Sequence, residues 1–296
     1  MPENLATKLT ATPSPDGRSR IATIVLLLPA FLVFLGLFVA PLSFFFVQSF
    51  WKASIFSIVP GFYLDNYIEV FTQYSGPLLR TLDIAFLVAT VTTILGFLFA
   101  YAVRFSLGSL GNVLLLTALT TLFGGYLVKI YAWLTILGVD GILNSALIRL
   151  GLIRQPLQIL LYNTGAVVVT LTHYLLPLAI LPIYGALREV DETELAAARD
   201  MGASGGRAMR DIVLPQIRPA LLASFGLCFL LAAGDYVTPA LVGSPGRAMF
   251  GNFIQEQFSL RMNTPEGAAM SFTLIAASLA LLCVVGFVIN RVFRAR

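Results

Sequence analysis

Residues 191–219, DETELAAARDMGASGGRAMRDIVLPQIRP, decide how the rest of the chain reads. They are the longest polar interruption between apolar stretches. They carry five acids (Asp191, Glu192, Glu194, Asp200, Asp211) and four arginines (Arg199, Arg207, Arg210, Arg218). The stretch also supplies its own helix punctuation. Asp191, followed three residues on by Glu194, reads as a capping box with Asp191 at the N-cap. Leu195, Ala196, Ala197, Ala198 and Met201 favour helix. Gly202 stands where a helix end takes a left-handed residue. A short charged helix between two apolar spans belongs outside the bilayer, where it can meet a soluble partner.

Working outward, the flanks are apolar almost throughout. The chain has 296 residues, 58% hydrophobic and 11% charged, with a mean hydropathy of +0.87. That balance excludes an ordinary soluble domain and places the protein in the membrane class. The net charge of +4 is small. Arginines beside spans set topology, so nothing here calls for nucleic acid. Cys228 and Cys283 both lie in apolar runs, with no disulfide framework or zinc spacing. No Walker A pattern occurs, so if ATP drives this protein another chain must bind it. Residues 1–20 are polar and read as a disordered tail. The apolar run that follows is too long for a signal-peptide core and reads as a retained span.

A spanning helix needs about 20 apolar residues. Six stretches qualify, at about 21–50, 77–104, 106–137, 157–187, 219–242 and 267–290, within one transmembrane domain of residues 21–293. Strand alternation of the barrel kind is absent, so the expected fold is an all-α membrane bundle of six transmembrane helices. With the N-terminus inside, the inner side holds Lys8, Arg18, Arg20, Arg104, Arg188, Arg199, Arg207, Arg210, Arg218, Arg291, Arg294 and Arg296. The outer side keeps Lys52, Arg80, Lys129, Arg149, Arg154, Arg247 and Arg261. The excess predicts both termini and the 191–219 loop in the cytoplasm. In the outer loops, apolar residues of 141–150 and of 250–258 each fall on one helical face. These segments read as interfacial or re-entrant helices, or as helices packed on the bundle.

The loop spacing resembles the signature of ABC-importer permeases: Glu-Ala-Ala, three residues, Gly, nine residues, Ile-x-Leu-Pro. Ala197, Ala198, Gly202, Ala203 onward to Ile212, then Leu214 and Pro215 keep that register. The family's Glu falls on Ala196, a departure. The ATPase-coupling residues implied are Glu194, Ala196, Ala197, Ala198, Arg199, Asp200, Gly202, Ala203, Ile212, Leu214 and Pro215. Other strings are similar to the spermidine/putrescine permease branch: Tyr131-Ala132-Trp133 with Gly138, Gly141-Ile142-Leu143-Asn144, Leu181-Pro182-Ile183-Tyr184, Gly234-Asp235-Tyr236-Val237-Thr238-Pro239, and Asn263-x-Pro265-x-Gly267-Ala268-Ala269. The resemblance spans about 21–293. It implies a type I importer fold in a bacterial inner membrane and a small cationic cargo such as putrescine or spermidine. It also implies a second homologous permease, two ATPase subunits holding ATP and magnesium, and an external substrate-binding protein. This chain itself would hold no cofactor and perform no covalent chemistry.

Ionisable residues inside apolar spans are costly and tend to be functional. Asp83, Lys129 and Asp235 come out at a shared depth in the outer third of the bilayer, counting about 1.5 Å of rise per residue. They form either an Asp–Lys pair holding an outer gate or carboxylates offered to a cation. Snorkelling to the interface, or capping a helix, is the competing reading. Around Asp235, Gly234 and Pro239 can open the helix backbone. Tyr131, Trp133 and Tyr236 lie at the same depth, as cation–π walls or as an interfacial aromatic belt. His173 sits mid-span, either lining the pathway or bonding a backbone carbonyl. A different cargo for the same importer, such as an amino-acid derivative or opine-like compound, fits the same residues. A secondary transporter is the reading from another class, and it lacks an inverted repeat in support.

Overall fold

The computed structural model describes residues 17–54 and 57–294. The chain begins with α1 (Gly17–Phe34), which passes through a π-helical turn at Leu35–Val39 into α2 (Ala40–Gln48). A short hairpin pairs β1 (Lys52–Ala53) antiparallel to β2 (Ile58–Val59), with Lys52 opposite Val59. Then come α3 (Asp65–Gln73), α4 (Ser75–Phe105), α5 (Gly108–Thr120), α6 (Tyr126–Leu137) and α7 (Ile142–Arg149). After α8 (Thr164–Arg188), the polar loop folds as α9 (Glu192–Asp200) and α10 (Gly205–Ala208). A π turn at Met209–Val213 leads into α11 (Leu214–Ala233), followed by α12 (Val237–Val242), α13 (Phe250–Ser259) and α14 (Thr264–Arg294).

The centre of the bundle is α4, α8 and α11, which pack on one another more extensively than any other elements among the described residues. Ala85, Val88 and Ala89 of α4, Leu171, Leu175 and Ala179 of α8, and Cys228, Phe229 and Ala232 of α11 share one buried cluster. Small residues allow this approach, because lipid offers no hydrophobic drive and close van der Waals contact must hold the helices. A Cβ on Gly96 would stand 3.1 Å from the Ala179 Cβ. The Ser224 hydroxyl donates to the Ala179 carbonyl at 3.0 Å, tying α11 to α8. By contrast α1, α2 and the π turn between them are peripheral and turn Leu26 (79% exposed) and Leu37 (78% exposed) outward. Edge-on aromatic contacts tie α2 to the bundle: Phe46 meets Phe272 with ring centroids 5.0 Å apart, and Phe45 meets Phe258 at 6.3 Å.

Six helical segments among the described residues are long and apolar enough to cross a membrane: Val25–Gln48, Ser75–Phe105, Tyr126–Arg149, Thr164–Arg188, Gly205–Ala233 and Thr264–Arg291. Several limits differ from the sequence expectation. Residues 1–16 of the expected tail lie outside the described residues, while 17–20 already belong to α1. The third span is not one helix over 106–137. It breaks at Gly124 and Gly125, whose extended backbones (ψ 127° and 139°) cannot continue a helix. The fourth begins at Thr164 rather than 157, because Asn163 caps it by accepting from the Ala166 amide at 3.0 Å. Asn144, buried on α7, donates to the Leu157 carbonyl and accepts from the Leu157 amide, pinning the preceding segment outside the helix. The fifth span stops at Ala233 and resumes at Val237. Helix α14 extends beyond the expected 267–290 at both ends. The outer segments 141–150 and 250–258 do form helices, α7 and α13.

Candidate functional site

The polar loop is a seated element. Asp191 caps α9 by accepting from the Thr193 amide at 2.8 Å. Those contacts hold its carboxyl below the usual carboxylate range. Gly202 adopts φ +84°, the left-handed end expected of it. The reciprocal half of the capping box is not made. Glu194 instead accepts from the Gln216 amide at 2.7 Å, bridging the start of the loop to the start of α11. Glu192 pairs with Arg104 at the end of α4, 2.6 Å apart. Underneath, Leu195 is buried with Ala208, Val213 and Ile217 against Ala100, Ile183 and Leu187, and Ala198 is buried as well. The opposite face of α9 is open: Ala196, Ala197, Arg199 and Asp200 are exposed, and Met201 is 84% exposed. Ala203, Ile212 and Leu214 are half-buried, and Pro215 is exposed. Arg104 and Gln216 were not singled out in the sequence, and no local signal there joins them to the loop.

At the other end of the bundle the two helix breaks meet. Tyr126, the first residue of α6, donates its hydroxyl to Asp235 Oδ1 at 2.6 Å and lies 2.8 Å from the Thr238 hydroxyl. The same Oδ1 accepts from the Val237 amide at 3.0 Å and the Thr238 amide at 3.4 Å, so Asp235 caps α12. Its Oδ2 is buried and bonds no protein group. The Tyr126 ring lies 4.6 Å from that of Tyr174, and the Lys129 ammonium is 5.3 Å from the Tyr174 ring centre. Lys129 is 8% exposed and its Nζ makes no hydrogen bond.

Asp235, Lys129, Tyr126 and Tyr174 therefore form one cluster, but no ion pair joins Lys129 to Asp235 or to Asp83 among the described residues. Asp83 is exposed on α4, away from that network. His173 is exposed, with its ring 5.8 Å from Trp133 in an edge-on contact. Tyr131 is 57% and Tyr236 45% exposed. Sequence reading missed Tyr126 and Tyr174. The Gly124-Gly125 pair before Tyr126 is the signal that points to the first. No group of His, Cys, Asp or Glu among the described residues gathers to hold a metal ion.

A multi-pass helical bundle, with a short polar helix seated at one end and two broken spans at the other, is the build of a membrane transport subunit. The family described as binding-protein-dependent transport system inner membrane component matches residues 18–296, and the chain belongs to it. It is a multi-pass membrane protein with the fold of an ABC-importer permease. It is 31% identical over 235 residues to the spermidine/putrescine transport system permease protein PotB of Haemophilus influenzae, covering 79% of this chain and 81% of that one. Against PotB of Escherichia coli the identity is 32% over 214 residues, covering 72% and 78%. It is also 30% identical to a putative 2-aminoethylphosphonate transport system permease protein, PhnU, of Salmonella typhi, covering 59% and 60%. A chain in the crystal structure of a bacterial alginate ABC transporter, in complex with an alginate pentasaccharide-bound periplasmic protein, superposes with TM-score 0.75. That match covers 93% of this chain and 96% of the other at 14% identity, a likeness of fold alone.

Proposed function

We propose that this chain is one of two permease subunits of an ATP-driven importer that moves a polyamine, putrescine or spermidine, into a bacterial cytoplasm. The observation that carries the coupling role is α9: its base is locked to α4, α8 and α11, while its outer face is bare. A helix mounted in this way transmits a push without bending. Two ATPase subunits bind ATP and magnesium, close, and carry the docked α9 with them. The central helices then swing between inward- and outward-facing arrangements, and an external binding protein delivers the solute. Ala196, at the family's Glu position, presents no charge to the ATPase. Glu194 and Glu192 spend theirs inside this subunit, on Gln216 and Arg104. Both termini and the loop lie on the cytoplasmic side, and this chain performs no hydrolysis.

The polyamine cargo is supported by the two PotB relatives, each of which covers more than two thirds of the chain. PhnU favours a second reading, a small zwitterionic amine, over a shorter match. The test is ATPase activity of the reconstituted complex with its binding protein, titrated with putrescine, spermidine, 2-aminoethylphosphonate and neutral solutes. Stimulation by polyamines alone is expected. Stimulation by the aminophosphonate alone would transfer the assignment to the second reading, and no stimulation in an assembled complex would remove both.

A further inference from the structure

The break that ends α11 opens onto a cavity of about 480 Å³ lined by Gly234, Tyr236, Gly251, Ile254, Gln255, Phe258 and Ser259. The Asp235 side chain is not part of that lining. It turns the other way, to Tyr126 and the α12 amides, with Oδ2 buried. The cavity walls are fixed. The Asn252 amide donates to the Tyr236 carbonyl at 2.7 Å, and Gly251 lies so close that a Cβ would be 3.1 Å from the Asp235 carbonyl oxygen. Gly251, Gln255 and Ser259 follow one another at four-residue intervals on α13 and share a face. The Gln255 amide nitrogen donates to the Ser259 hydroxyl at 3.0 Å, and that hydroxyl donates to the Gln255 backbone carbonyl at 2.8 Å. The Gln255 side-chain oxygen is left as an acceptor.

Three features of this cavity favour a cation. Its floor, Gly234, is the carboxyl-terminal cap of the 20-residue helix α11, the negative end of the helix dipole. Tyr236 supplies an aromatic face. No lysine, arginine or histidine lines it. Broken spans place cations at helix carboxyl ends in other transport proteins for the same electrostatic reason. We infer that this cavity is where the subunit receives an ammonium group of its cargo, held by Tyr236, the Gln255 oxygen and the end of α11. The Asp235 carboxylate keeps the break open from behind and does not touch the cargo. This assignment rests on the polyamine reading above.

The test uses the full complex in proteoliposomes, with putrescine uptake measured for the unsubstituted chain, Gln255→Glu and Gln255→Lys. The two variants move KM in opposite directions: Gln255→Glu lowers it, and Gln255→Lys raises it by about tenfold through like-charge repulsion. A misfolded α13 would shift both the same way, so the sign reversal separates recognition from damage. Uptake by the unsubstituted complex with a KM that both variants leave unmoved, or move alike, overturns the cavity and leaves the cargo reading standing. A rise in KM for Asp235→Asn as large as that for Gln255→Lys also overturns it, because the cargo would then rest on the carboxylate. Absence of polyamine uptake by the unsubstituted complex overturns the cargo reading, and the amine site with it.

Discussion

Asp235 holds Tyr126, Val237 and Thr238 on a single oxygen. Removing it in Asp235→Ala strands the Val237 and Thr238 amides in a partly buried site and leaves the Tyr126 hydroxyl only Thr238 as a partner. The expected loss is about 1–3 kcal/mol, the cost of an unsatisfied buried polar group. Thermal unfolding of the detergent-solubilised chain should show it as a lower Tm, with Asp235→Asn much closer to the parent because its amide oxygen still accepts. At Gly251 the constraint is steric. A methyl there meets the Asp235 carbonyl at 3.1 Å and the Tyr236 Cβ at 3.2 Å, both held in place, so Gly251→Ala should also lower Tm, by roughly 1–3 kcal/mol of overpacking. At the loop, the Asp191 carboxyl is bonded in the fold and so titrates below its free value. Its capping contribution is complete above the ordinary carboxylate range and is lost only as pH falls through the depressed folded value. Coupling of uptake to ATP hydrolysis, measured between about pH 5 and pH 8, should therefore show no step from this group.

Among the elements, α9 is the one whose seating the proposed coupling needs. Leu195 is 7% exposed beneath it, so Leu195→Asp sets a charge against Ile183 and Leu187. The expected result is an assembled complex in which ATP hydrolysis no longer drives uptake, read as the ratio of solute moved to ATP consumed. Arg104→Ala removes a pair that is mostly exposed on the Glu192 side, 67%. Such pairs are worth about 0–1 kcal/mol, so stability should hardly change. Much of this element was legible beforehand. The N-cap, the helix over the alanines and the left-handed Gly202 all follow from local backbone chemistry. The partner of Glu194 was not, because Gln216 lies 22 residues on and meets it only after the loop folds back. The breaks in the third and fifth spans were half legible. Gly124-Gly125 and Gly234 weaken helix, but glycines inside spans often do not interrupt it.

For the whole molecule, the charge distribution predicts which end faces the cytoplasm. Met201 at the tip of α9 is 84% exposed, so Met201→Cys in cells should react with a membrane-impermeant maleimide only after the inner face is made accessible. Labelling of intact cells from outside would reverse the orientation. The sequence by itself determined the membrane class, the number of apolar spans and the capped helix of the polar loop. These follow from apolar length against bilayer thickness and from short-range helix punctuation, both written in consecutive residues. Tertiary structure alone decided what the intramembrane charges do. Asp83, Lys129 and Asp235 share a depth along the chain, yet depth does not fix rotation about a helix axis. Packing of α6, α8 and α12 turned Asp235 onto Tyr126 and Lys129 onto Tyr174, and left Asp83 outside that cluster.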